Sequence, residues 1–271
     1  MLLLANLFEY DFMRKAFIVG ILIAVMVPCI GVVIVCKRLS MIGDALSHTS
    51  LAGVAIGLIL GFNPVLGAVL SCMIAALGIE VIRKKLPAYS EMSIAIMMSA
   101  GIGLTGVLSK YIGNSANFNS FLFGSIVAIT DFELYLVIAL SITVLVVFSI
   151  LYHSLFYIAL DEQAARLRGI PTNAINTVFT LLTAVTVSVA SRTVGALIVS
   201  SMMVVPVSCA MQVAKSYRQT VLYAVGFAVL FTVVGLTLSY YTGLKPGGTI
   251  VLLGVFSLLL IFLGKKVFAR G

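Results

Sequence analysis

Charge and histidine are scarce in this sequence. Only 10% of the 271 residues are charged, with nine acidic side chains and two histidines, and tryptophan is missing altogether. A chain that is 62% hydrophobic, with apolar runs of membrane-crossing length from end to end, is not a soluble domain. No GxxxxGK[ST] loop occurs, so the chain does not hydrolyse ATP by itself. No Ser/His/Asp or paired-carboxylate arrangement suggests catalysis, and two histidines are too few for a bundle carrying several haems. Cys29, Cys36, Cys72 and Cys209 all fall in apolar runs without metal or redox spacing, which reads as packing. The amino-terminal stretch 1–13 lacks the basic start and small-residue cleavage site of a signal peptide. It reads instead as a short helix lying in the interface.

What is present is an all-α, polytopic membrane helix bundle of eight to nine spans in a single domain over 1–271. Nine spans are expected at about 15–36, 44–60, 64–82, 93–109, 132–152, 173–190, 194–214, 219–241 and 248–264. Asn63-Pro64 marks a tight turn between the second and third. The second is short and rich in glycine and serine, the composition of a broken or tilted helix lining a transport path. The net charge of +8 does not imply nucleic acid, because the basic residues sit in short clusters between spans. With nine spans, Lys37-Arg38, Arg83-Lys84-Lys85, Arg166, Arg168, Lys215, Arg218 and the tail lysines and arginine share one side. That side is therefore cytoplasmic and the amino terminus external, although Arg14 and Lys15 then lie on the wrong side.

The stretch Gly43-Asp44-Ala45-Leu46-Ser47-His48 stands out. Asp44 and His48 are four residues apart, so a helix carries both on one face within an apolar span. Ionisable groups at such a place mark pathways, and a carboxylate with an imidazole is a partial ligand set for zinc or manganese. The alternative is a polar pair bonding to other helices, with Asp44 capping a helix start. Ser47 and Ser50 read as satisfying backbone carbonyls, and Pro206 interrupts the seventh span as either a packing kink or the bend of a moving, path-lining helix. Glu80 reads as an ion-pair partner of Arg83, His153 as an interfacial residue, and Arg192 as a headgroup anchor at the outer surface. Segment 110–131 is expected outside, with a short helix at Phe121–Ile126 packed on the outer surface. Segment 153–172 is the longest polar cytoplasmic piece, an amphipathic helix ended by Gly169 and Pro171.

Four pieces in order carry a resemblance. Arg38-Leu39-Ser40-Met41-Ile42-Gly43-Asp44-Ala45-Leu46-Ser47-His48 is followed by Leu122-Phe123-Gly124-Ser125-Ile126. Then come Ala159-Leu160-Asp161-Glu162-Gln163-Ala164-Ala165-Arg166-Leu167-Arg168-Gly169-Ile170, and Val194-Gly195-Ala196-Leu197-Ile198-Val199 running on to Pro206. Together they resemble the permeases of zinc and manganese ABC importers over nearly the whole chain. The resemblance implies that Asp44 and His48 meet the transported metal. It implies that Asp161, Glu162, Ala165 and Gly169 belong to a cytoplasmic coupling helix docking on an ATPase, and that Ser47 and Pro206 belong to the path. It implies two permease copies, two cytoplasmic ATPase subunits and an external metal-binding protein, in a bacterial cell membrane. No cofactor is expected to stay bound; the metal is cargo. The Ser-His-Thr-Ser-Leu-Ala-Gly run favours zinc over manganese. Two rivals differ in class. A gradient-driven transporter wants several intramembrane acids, and a membrane scaffold has no need of Asp44 and His48 on one face.

Overall fold

The computed structural model describes residues 11–86, 89–111 and 130–268. The elements are α1 Asp11–Cys36, α2 Ile42–Leu60, α3 Pro64–Lys85, α4 Ser90–Ser109 and α5 Asp131–Leu160. They continue as α6 Glu162–Leu167, α7 Thr172–Thr193, α8 Ala196–Val213, α9 Tyr217–Thr242 and α10 Pro246–Phe268. The expected all-α bundle is thus present, and among the described residues eight helices are long and apolar enough to cross a membrane. The apolar part of α8, Ile198–Val213, is shorter. It nonetheless returns the chain to the end where α5 finishes: Tyr217, at the start of α9, packs on Tyr152 and Phe156 near the end of α5, with centroids 5.5 and 4.8 Å apart. After α7 has run away from that end, α8 has to bring the chain back to it.

Local chemistry sets the helix ends. Asn63 accepts from the Val65 amide at 2.9 Å and Pro64 occupies the first turn of α3, so the expected turn is a capped helix start. Gly61 reaches φ 73 to close α2 just before it, a conformation that disfavours a side chain. Thr130 and Glu133 form a reciprocal capping box at the start of α5.

Burial sorts the helices into two layers. α1 is buried almost all round, with Val19, Ile23, Met26, Val27, Ile30 and Ile34 inside. α7, α8 and α9 pack against it, and α2 is enclosed by α3, α4, α7 and α8. α4, α5 and α10 instead turn large apolar side chains outward, among them Val107, Ile150 and Leu252. An apolar exterior of this extent belongs to a protein solvated by lipid.

Three boundaries differ from the sequence reading. Residues 11–13 are not part of a separate interfacial helix. They open α1, where Asp11 pairs with Lys15 one turn on at 3.6 Å and Met13 is buried. Residues 1–10 lie outside the described residues. The fifth span runs to Leu160 rather than ending near 152, because Leu155 and Ile158 are core residues that keep the helix packed past His153. The amphipathic helix expected over 153–172 is reduced to α6. The second span is not broken: α2 is a continuous 19-residue helix. The expected outer helix at Phe121–Ile126 lies outside the described residues.

The basic clusters do gather at one end. Lys37, Arg83, Lys84 and Arg166 line one cavity of about 600 Å³ with Glu80, Glu162, Asn173 and Asn176. Lys15, on the opposite side, bonds Asp131 of α5 at 2.6 Å. Its charge is paired at the outer end, which accounts for its position against the general bias.

Candidate metal path

α2 is held on several sides by contacts of its backbone. Gly53 faces Gly67 of α3 so closely that a Cβ on either would strike the other's carbonyl oxygen. Nearby, Ser71 donates to the Thr49 carbonyl at 2.8 Å and the Cys72 thiol to the Leu46 carbonyl at 3.2 Å. α4 comes equally near, since a Cβ on Gly101 would lie 2.7 Å from Thr49 and 3.1 Å from the His48 carbonyl carbon. Ser50 and Ser191 of α7 share a buried hydrogen bond of 2.9 Å, and Gly43 abuts Ser200 of α8. Small residues at these crossings are what lets helix backbones approach within a membrane.

Asp44 and His48 lie between those anchor points, one turn apart, and both are half-buried. Asp44 sits in the first turn without capping it: the cap position is Met41, and no side-chain cap bond forms. Neither side chain makes a hydrogen bond or ion pair among the described residues. A carboxylate and an imidazole without protein partners are uncommon in an apolar bundle, where such groups are costly. Ser47 strengthens the point. It is 2% exposed, its hydroxyl has no partner, and it projects on the same side of α2 as Asp44. A buried hydroxyl without a partner costs about 1–3 kcal/mol. Among the described residues no three His, Cys, Asp or Glu side chains come together. The four cysteines are free, with Cys29, Cys72 and Cys209 buried, in keeping with packing roles.

Pro206 lies inside α8 and faces away from this pair. It borders a small gap shared with Ala228 and Phe231 of α9 and Gly254 of α10. Ser200 and Ala196, earlier on the same helix, are among the α8 residues that meet α2. Sequence reading singled out the proline because it breaks a helix rule, whereas a serine among small residues sends no such signal.

At the other end, the structure gives the residues in and around α6 different positions. Asp161 caps α6, accepting from the Gln163 and Ala164 amides at 2.9 and 3.0 Å. Gly169 takes φ 80 and stops the helix, and Pro171 precedes α7. Ala165 is buried against the bundle. Glu162 accepts from Asn176 at 3.0 Å and lies 3.9 Å from Arg166. The outward face is therefore Gln163, Ala164, Leu167 and Arg168, with Leu167 90% exposed. The sequence reading named Leu167 only as one residue of the amphipathic segment, with no role of its own. Glu80 pairs with Arg83 at 2.7 Å, as the spacing predicts, and with Lys84 at 3.5 Å. Lys37 was read only as a topology marker. Its amine is pushed down to about 8, chiefly by burial and then by the nearby Arg83 charge.

Residues 9–265 match the ABC 3 transport family. The chain belongs to that family. A Treponema pallidum relative named "Probable metal transport system membrane protein" is 34% identical over 253 residues, covering 93% of this chain and 95% of the relative. The manganese transport system membrane protein MntC of Listeria innocua is 30% identical over 264 residues, covering 97% and 94%. A solved structure, PsaBC from Streptococcus pneumoniae in complex with Fab, superposes with a TM-score of 0.86 at 26% identity, covering 96% of this chain and 94% of that one. As a member of the ABC 3 transport family the chain is a multi-pass plasma-membrane permease of a metal ABC importer, a transport component rather than an enzyme.

Proposed function

We propose that this permease carries a divalent transition metal ion into the cell past Asp44 and His48, and that the ion is manganese. The observation that carries the reading is the unpartnered carboxylate–imidazole pair on α2, half-buried beside the orphan Ser47 hydroxyl. Oxygen-rich donors with one imidazole and no thiolate suit manganese, and the manganese name of the Listeria relative supports that choice. Zinc, favoured by the Ser47–Gly53 run, is the competing ion. Its preference for tetrahedral nitrogen and sulfur ligands is less well served here.

Two donors per copy leave a metal site half built. A second copy related by two-fold symmetry supplies the same pair again, and symmetric closure is the usual form of such assemblies. The same symmetry gives each of two ATPase subunits one α6 to dock on, while the metal arrives from an external binding protein. Nothing in this scheme stays bound as a cofactor. The fold is taken as one domain over the whole chain. Transport into proteoliposomes of the assembled complex, with manganese, zinc and iron in competition, tests the ion. Manganese uptake that zinc suppresses only weakly is the expected result. Preferential zinc uptake returns the assignment to zinc.

The exposed face of α6 is assigned to the ATPase. A Gln163→Cys substitution in an otherwise cysteine-free permease becomes accessible from the cytoplasmic side and is shielded when the ATPase is bound. Labelling of that position from outside intact cells overturns both the orientation and the docking role.

A further inference from the structure

The cytoplasmic cavity holds a chain of side chains that the metal pair does not use. Asn176, in the first third of α7, is 2% exposed, and its carboxamide is engaged at both ends. Oδ1 accepts from Lys37 Nζ at 2.7 Å, and Nδ2 donates to Glu162 Oε1 at 3.0 Å. Lys37 is the first residue beyond α1, and Glu162 is the first residue of α6. A buried amide on a third helix therefore joins the end of the first span to the base of the exposed short helix. Both bonds are charge-assisted, the stronger kind, and both lie in a partly desolvated setting. Phe179, one turn above Asn176, lies under the lysine amine at 5.8 Å and helps fix its stem.

The lysine end leads directly to α2. Lys37 donates its amide to the Val33 carbonyl at 2.9 Å, and Leu39 donates to Ile34 at 3.0 Å. Arg38 stands between them at φ 58, outside the ordinary range for a residue with a side chain. Ile42 then donates to the Leu39 carbonyl at 2.9 Å and Ala45 to Met41 at 3.2 Å, so the turn is bonded at both ends. Asp44 is in the first turn of the helix that this turn starts. Hydrogen bonds thus run without a break from Glu162 of α6 through Asn176 to Lys37 and on through the turn to the start of α2.

We propose that the Glu162–Asn176–Lys37 chain relays movement of α6 to the 37–41 turn and so to Asp44, which makes Asn176 a positioning residue for transport. The inference rests on the ATPase-driven reading above. A merely structural clamp would, when broken, lower ATP hydrolysis and uptake together. A relay, when broken, separates them, because a coupling between sites is a free energy distinct from the stability of either.

Asn176→Asp is nearly isosteric and keeps the acceptor for Lys37. It removes the donor to Glu162 and sets two carboxylates face to face. In proteoliposomes of the full complex, manganese uptake per ATP hydrolysed falls about tenfold while ATP hydrolysis stays within about twofold of the parent. Adding Glu162→Gln supplies the missing donor from the opposite side and restores the ratio, which repair of a general packing defect does not do. If the Asn176→Asp complex does not assemble, Lys37→Met breaks the other link and is judged by the same ratio. An unchanged ratio, or uptake and hydrolysis falling in step, overturns the relay. A parent complex that hydrolyses ATP yet moves no manganese, zinc or iron overturns the transport reading instead.

Discussion

Asp44→Ala and His48→Ala each lower metal uptake by roughly a hundredfold, since loss of even an outer partner of a metal ligand costs about 10–100-fold. The expectation comes from their shared side of α2 and from the lack of protein partners among the described residues. That lack also predicts what does not change. Neither side chain bonds α2 to another helix among the described residues, so its removal takes away no interhelical hydrogen bond or ion pair. Melting temperature and membrane level should stay close to those of the parent. Uptake of radioactive manganese into vesicles, with a thermal melt of the same preparation, reads both quantities. Normal uptake by both single variants removes the site. A large loss of melting temperature would instead assign the pair to interhelical bonding.

The opposite pattern is expected at the crossing of α2 and α3. Gly53→Val puts an isopropyl group where the Gly67 carbonyl and the Ser71 hydroxyl already stand. The helices must separate, which also strains the Ser71 bond to Thr49 and the Cys72 bond to Leu46. Overpacking of this kind costs about 1–3 kcal/mol, enough to lower the melting temperature by several degrees and the folded yield with it. Gly106→Ala is the control. A Cβ there meets no atom within 4 Å, and alanine is the better helix former, so this variant should melt no lower than the parent. Equal melting behaviour of the two variants would mean that the close crossing does not bear on stability. Both are read by thermal unfolding in detergent.

Much of the fold was legible because membranes make it so. Each span must satisfy its own backbone hydrogen bonds, so apolar runs become helices whatever surrounds them. The expected spans 64–82 and 93–109 lie inside α3 and α4, with turn chemistry at Asn63-Pro64 marking one start. Asp44 and His48 were legible for a related reason. Ionisable groups are costly in such runs, and their four-residue spacing fixes a common face on any helix. Glu80 with Arg83 was legible on the same local rule.

Other features depend on contacts between segments distant in sequence. No local property of Asn176 marks it out; its meaning comes from Lys37, 139 residues away. The end of α5 at Leu160 is decided by the burial of Leu155 and Ile158, which a count of apolar residues does not see. Ala165 and Leu167 are both apolar in the sequence, yet tertiary packing turns one inward and leaves the other exposed. The sequence by itself determined that this chain is a bundle of membrane helices carrying one carboxylate–imidazole face, because helix formation and face are set within a few residues. Only the tertiary structure decided which helices lie at the centre, which glycines touch, and which cytoplasmic side chains join, because those follow from how apolar faces pair across the whole chain.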